Sequence, residues 1–146
     1  MMITSKGRYA LRAMLDLAER PRDGFVRLSD IAARQHISRK YLERIMPDLA
    51  RHGLLESALG KSGGYRLTRP PGAYRVGEVL RAAEGALAPV ACLTADGHKC
   101  ETAADCCTYP FWEGLEHQID AYVDSYTLQD LLAGRGACHR CTGSGG

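Results

Sequence analysis

The stretch LSDIAARQHISRKYLERIMPDLARHG, residues 28–53, constrains this chain more than any other. In its first part Ser29 is placed as a helix cap, with Ile31 and Ala32 turned inward. The tripeptide His36-Ile37-Ser38 makes a tight corner. Ser38 then caps a second segment, in which Leu42, Ile45, Met46 and Leu49 recur at helical spacing until Gly53 stops it. Two short helices joined by a three- or four-residue turn form a helix-turn-helix. Pro47 conflicts with this pattern, because an interior proline costs about 3 kcal/mol. The expectation is that the exposed reading half ends there and the rest bends back to the core.

The flanking segments extend this unit. SKGRYALRAMLDLAER reads as a preceding helix, with Ser5 as cap, Leu11, Met14, Leu15 and Ala18 as its apolar stripe, and Pro21 ending it. In LLESALGKSGGYRLTR, two apolar-containing runs flank a glycine-rich, basic tip, which predicts a β-hairpin. A hairpin directly after a helix-turn-helix makes a winged helix, and VGEVLRAAEG adds a further helix. The fold class read from these segments is mainly α with a small β-hairpin wing. The glycine-rich tip is not a nucleotide-binding phosphate loop, since no strand–loop–helix with Lys-Ser/Thr follows it.

Charge separates the two halves. Residues 1–75 hold 15 Lys/Arg against 7 Asp/Glu, and residues 76–146 hold 4 against 10, within an overall net charge of +2. A basic first half suits a polyanion, and a solvated basic face is the plainer alternative. Arg39, Lys40, Glu43 and Arg44 lie at the start of the second helix of the helix-turn-helix, where a recognition helix meets base edges and phosphates. Ser38 and Tyr41 belong to the same end. Lys61 at the hairpin tip is placed to reach phosphate or the minor groove, with Ser62, Gly63 and Gly64 allowing close backbone approach. The expected partner is double-stranded DNA.

The acidic half carries its own pattern. Trp112, Leu115, Ile119, Tyr122 and Tyr126 recur at intervals of 3, 4, 3 and 4, with Glu113, Glu116, Asp120 and Asp124 expected outside the seam. A helix packed on its own domain satisfies this spacing. A long dimerisation helix does so too and is preferred, because helix-turn-helix proteins commonly read two half-sites as symmetric dimers. TLQDLL follows as a short helix, with Thr127 and Asp130 placed as a capping box.

Four cysteines, Cys92, Cys100, Cys106 and Cys107, fall within 16 positions. The opening MMITSKGRYALRAML has no unbroken apolar stretch or small-residue cleavage site, and no run approaches the roughly 18 apolar residues of a membrane span. A cytoplasmic chain with no membrane association is expected, where clustered cysteines point to metal or redox chemistry rather than structural disulfides. Thiolates are soft donors suited to an iron–sulfur unit or zinc. The spacing Cys92-x7-Cys100-x5-Cys106 matches no regular zinc finger. Cys106 should lie just before a helix N-terminus, with Thr108 as cap and Pro110 in the first turn, which favours its thiolate. The tail adds the pair Cys138 and Cys141, which suits a dithiol switch or a segment of no consequence. His98 and His139 read as surface histidines more readily than as ligands. No nucleophile elbow, zincin helix or readable pair of catalytic carboxylates is present, so neither an enzyme nor a small-molecule substrate is expected.

TSKGRYALRAMLDLA, LSDIAARQHISRKYLERI, GLLESALGKSGGYRL and VGEVLRAAEG occur in the order and at the spacing of the Rrf-two family of bacterial winged-helix transcriptional regulators, which this chain resembles from about residue 2 to residue 132. The resemblance includes the cysteine loop, the following Phe-Trp and TLQDLL. It implies a homodimer with a long crossing helix and, in many members, an iron–sulfur cluster held by three loop cysteines, here Cys92, Cys100 and Cys106. The chain departs from its cluster-binding relatives in three places. The first cysteine gap is longer, Tyr109 stands where a histidine ligand is found, and Leu59 replaces a basic residue before the wing tip. Nuclearity, 2Fe-2S or 4Fe-4S, is therefore open, as is the fourth ligand, for which Cys107, His98, Asp105, Glu101 and an external or tail ligand are all candidates.

The resulting expectation is a DNA-binding domain over residues 1–85, a cofactor loop over 86–108, a dimerisation helix and short capped helix over 109–133, and a tail over 134–146. Its function would be transcriptional regulation through DNA affinity set by the cluster. A thiol-sensing regulator without a cluster is the alternative within this class, and an iron–sulfur carrier or redox protein the alternative outside it.

Overall fold

The computed structural model describes residues 3–93 and 106–134. Within them the chain runs α1 (Ser5–Ala18), α2 (Leu28–Gln35), α3 (Arg39–Arg51), β1 (Leu55–Ala58), β2 (Gly64–Leu67), α4 (Val76–Glu84), α5 (Tyr109–Ser125) and α6 (Leu128–Gly134). The two strands pair antiparallel, with Leu55 opposite Leu67 and Ala58 opposite Gly64. This is a mainly helical winged-helix fold, as its sequence pattern predicts.

The helix-turn-helix forms where expected, with two changes at the caps. Ser38 accepts from Tyr41 N–H at 3.1 Å and caps α3. At α1 the cap is Thr4 rather than Ser5, with Thr4 Oγ1 accepting from Lys6 N–H. At α2 the cap position is Arg27, so Ser29 lies within the first turn and caps nothing. Pro47 does not interrupt α3. It lies on the exposed side, while Leu42, Ile45, Met46 and Leu49 on the opposite side are all buried. Burial of that stripe offsets the local cost of the proline. Gly53 follows the helix with φ 75°, a left-handed conformation that glycine adopts without a Cβ penalty. The corner between α2 and α3 places His36 in the same region, at φ 54°.

The core lies around α1, whose buried face is Ala10, Ala13, Met14 and Leu17, with Gly7 buried as well. The sequence-derived stripe included Leu11, Leu15 and Ala18, which are only partly buried. Leu11 instead packs against Val76 and Leu80 of α4. Glu84 of α4 reaches over the start of α1 and accepts from Thr4 N–H, Thr4 Oγ1–H and Gly7 N–H, each at 2.7–2.8 Å. A Cβ at position 7 would collide with that carboxylate. Asp16 is buried on α1 and is satisfied by Arg34 and Gln35 of α2. This pairing holds the Arg34 guanidinium above its usual range, chiefly through its hydrogen bond to Asp16.

Tyr74 ties the wing to α4. Its hydroxyl donates to Leu54 C=O at 2.7 Å and accepts from Thr68 N–H at 2.8 Å and Arg69 N–H at 3.1 Å, in a fully buried position. The capping box of α6 forms as read. Thr127 N–H donates to Asp130 and Asp130 N–H donates to Thr127 Oγ1, holding the Asp130 carboxyl below its ordinary range.

Candidate nucleic-acid interface and cysteine site

The N-terminal end of α3 and the wing face each other across an open groove of about 710 Å³. Arg39 of α3, Lys61 of the wing tip and Arg27 before α2 line it, together with Ser29, Leu59 and Tyr65. Arg39, Lys40 and Arg44 are exposed, and Arg39 Nε lies 3.3 Å from Glu43 Oε1 along the exposed side of the helix. This surface pair leaves the guanidinium 67% exposed and free to exchange partners. Tyr41 has a different place. It packs partly against the core in an edge-to-face contact with Tyr9, ring centroids 5.4 Å apart, so it backs the helix from behind.

The wing is braced toward the groove. Val26 and Tyr65 exchange backbone hydrogen bonds at 2.8 and 2.9 Å, and Arg27 Nη2 donates to Lys61 C=O at 2.7 Å. Gly64 is needed for this approach, since its φ is 149° and a Cβ there would meet the Val26 carbonyl. Gly63 is pressed on Ala58 in the same way. Tyr65 is partly buried, which pushes its phenol up with help from nearby Glu43. Arg27 and Ser29 were not among the residues singled out from sequence for DNA binding. The pattern read Ser29 as a cap and gave Arg27 no position. Both become visible once the hairpin folds back over the start of α2.

Of the cysteines, Cys92, Cys106 and Cys107 are described and are free thiols, the first two half-buried and the third exposed. Cys100 lies outside the described residues, as do His98, Glu101, Asp105, Cys138, His139 and Cys141. Thr108 occupies the cap position of α5, yet its side chain does not cap the helix. Its Oγ1 lies 3.2 Å from Cys106 Sγ instead. That hydroxyl, then the backbone N–H groups of Thr108 and Tyr109, hold the Cys106 thiol below its usual range. Cys92 lies close enough to Tyr109 to contribute to raising its phenol, after partial burial and the charge of Glu113. The structure therefore brings Cys92 and Cys106 toward the same end of α5, beside Tyr109. Among the described residues no three His, Cys, Asp or Glu side chains are gathered as a metal site.

Helix α5 splits the apolar seam expected from sequence. Ile119 and Val123 pack against Val76, Leu80 and Leu87 of their own chain. Leu115, Tyr122 and Tyr126 are exposed, as is Phe111, which the seam omitted. Asp120 and Asp124, expected to face outward, turn to Arg81 of α4 at 2.8–3.0 Å. One guanidinium offsets part of their charge at the α4–α5 contact, which the periodicity of one helix cannot reveal.

Over residues 3–134 the sequence matches the family described as Rrf2, iron-dependent transcriptional regulator. This chain belongs to the Rrf-two (Rrf2) family. It is 42% identical over 134 residues to an HTH-type transcriptional regulator of Neisseria meningitidis serogroup A, covering 90% of this chain and 88% of that one. It is 39% identical over 132 residues to the transcriptional regulator IscR of Yersinia pestis, covering 90% and 79%. Among solved structures, it is similar to CymR, the global cysteine regulator of B. subtilis, with a TM-score of 0.72 and 32% identity over 91% of this chain and 97% of that one. The IscR of T. potens gives 0.67 and 34% over 91% and 87%. This Rrf-two member is accordingly a winged-helix transcriptional regulator of the DNA-binding class. Among the described residues no helix is long and apolar enough to cross a membrane.

Proposed function

We propose that this Rrf-two regulator acts in the cytoplasm as a homodimer, reads double-stranded DNA with the start of α3 and the wing, and has its affinity set by an iron–sulfur cluster on Cys92, Cys100 and Cys106. The observation that carries the DNA reading is the groove between α3 and the wing, where Arg27, Arg39 and Lys61 converge from three separate elements. A gap lined by cations on both sides suits one phosphate strand. The exposed apolar face of α5, with Phe111, Leu115 and Tyr122, supports pairing with a second copy.

The cluster reading rests on the donor set. Cys106 is biased toward thiolate by Thr108, and Cys92 lies at the same helix end. Cys107, exposed beside them, is the proposed source of a fourth ligand. Held by Cys92, Cys100 and Cys106, a cluster would supply chemistry sensitive to iron supply, oxidants or nitric oxide. The chain's own part is transmission. Arg81 couples α5 to α4, and Glu84 couples α4 to α1, so a displacement of α5 reaches the reading head.

A second reading, a thiol-sensing regulator without a cluster, is favoured by the hydrogen bond with Thr108 that lowers the Cys106 thiol and by the fold likeness to CymR. Anaerobic purification followed by a visible spectrum and iron and sulfide analysis separates the two. Colour with stoichiometric sulfide supports the cluster. Colourless protein whose DNA affinity changes on mild oxidation supports the thiol reading. Absence of salt-dependent duplex binding in either state would leave the carrier reading.

A further inference from the structure

Leu59 is the most exposed large apolar residue described, at 101%, and it stands apart from the other four, which all belong to α5 and the residue just beyond it. A single exposed leucine is ordinary on a protein surface. This one is held in place. It directly follows β1, and the tip beyond it closes through Gly63 N–H to Gly60 C=O at 3.0 Å, with Gly60 at φ 96°. Gly63 packs so tightly on Ala58 and Leu59 that no Cβ fits. Arg27 pins the tip from the other side through Lys61 C=O. Leu59 is thus displayed on a braced turn, at the lip of a groove flanked by Arg27, Arg39 and Lys61.

Duplex geometry says what meets it. Each sugar-phosphate strand separates the major groove from the minor groove. With α3 in the major groove and a strand held between α3 and the wing, the wing tip falls on the minor-groove side. An apolar side chain there has no hydrogen bond to offer. It acts as a wedge against sugars and base edges, favouring steps that widen or unstack easily. We propose that Leu59 is a specificity-determining residue that reads the deformability of the minor groove, while Lys61 beside it holds phosphate. This rests on the DNA reading proposed above.

The test uses the full chain, purified anaerobically, and duplexes that the wild-type protein enriches from a random library. Leu59→Ser should weaken binding to the enriched duplex on the order of tenfold, because the apolar burial disappears. The dependence on salt should stay unchanged, because no charge is removed. Leu59→Arg should enrich A·T runs at the wing-facing positions, where a narrow groove attracts a guanidinium, and keep the positions facing α3. Adding a minor-groove amino group, by replacing adenine with 2,6-diaminopurine at the wing-facing positions, should weaken wild type more than Leu59→Ser. If both variants keep wild-type affinity and enrich the wild-type sequence, the Leu59 proposal is overturned while DNA binding stands. If wild type enriches no duplex, the proposed function falls and takes this proposal with it.

Discussion

Arg81 of α4 holds both carboxylate oxygens of Asp124 on α5, with Nη1–Oδ1 at 2.9 Å and Nη2–Oδ2 at 3.0 Å, and Nη2 also reaches Asp120 at 2.8 Å. The pairing raises the Arg81 guanidinium further above its ordinary range, Asp124 being the main cause. Gly77, one turn earlier on α4, leaves the space in which Asp124 sits. Two acidic residues that periodicity assigns to solvent therefore fasten α5 to α4.

Arg81→Met should keep the packing of the stem and leave Asp120 and Asp124 unpaired. All three side chains are a third to almost half exposed, so solvent screening limits the destabilisation to about 1 kcal/mol. Gly77→Ala should cost no more than about 1 kcal/mol, because its Cβ displaces Asp124 from Arg81 at a partly exposed site while alanine favours the helix over glycine. Urea unfolding midpoints check both. Two midpoints equal to wild type would mean that α5 does not depend on this link.

Arg39→Ala combined with Lys40→Ala should weaken duplex binding by about 1–3 kcal/mol for each side chain that hydrogen-bonds well to a base edge. Lys61→Ala should mainly reduce the slope of affinity against salt. Anisotropy titrations across a salt series distinguish the two effects. Wild-type affinity in the double variant at physiological salt would remove the start of α3 from the interface.

The two sides of α5 should respond differently to a charge. Leu115→Asp, on the exposed side, should give a folded protein that sediments as a monomer. Ile119→Asp, packed against Val76, Leu80 and Leu87, should lower the unfolding temperature as well. An unchanged dimer in Leu115→Asp would rule out that face as the interface between copies.

Substituting Ala at Cys92, Cys100 or Cys106 should abolish the visible absorbance of anaerobically purified protein and leave its helical circular dichroism intact. Cys107→Ala should retain colour with altered lability. A full wild-type spectrum after any of the first three substitutions would exclude that residue from the site. Complete loss of colour in Cys107→Ala would make it an essential ligand.

Tyr74→Phe should cost about 1–3 kcal/mol, because Leu54 C=O and the Thr68 and Arg69 N–H groups are deprived of a buried partner together. Thermal unfolding measures this directly, and an unchanged Tm would show that the three backbone groups find other partners.

What the sequence determined on its own was local. The Leu42–Leu49 stripe, the Ser38 cap, the Gly53 stop, the hairpin around Gly60 to Gly64 and the Thr127–Asp130 box all depend on residues a few positions apart. Helical spacing, turn chemistry and capping act over that range, so a linear reading is enough. The tertiary structure decided whatever depends on a second element. It turned the buried face of α1 toward Ala10 and Ala13 because Glu84 of α4 closes on Gly7, and it gave Thr4 the cap that Ser5 was expected to hold. It divided the α5 seam, because Val76 and Leu80 claim Ile119 while Arg81 draws Asp120 and Asp124 inward. It also added Arg27 to the candidate DNA interface, through a bond to Lys61 across 34 positions of chain. Burial and charge pairing are set by partners distant in sequence, and one helix's own periodicity carries no information about which partner will arrive.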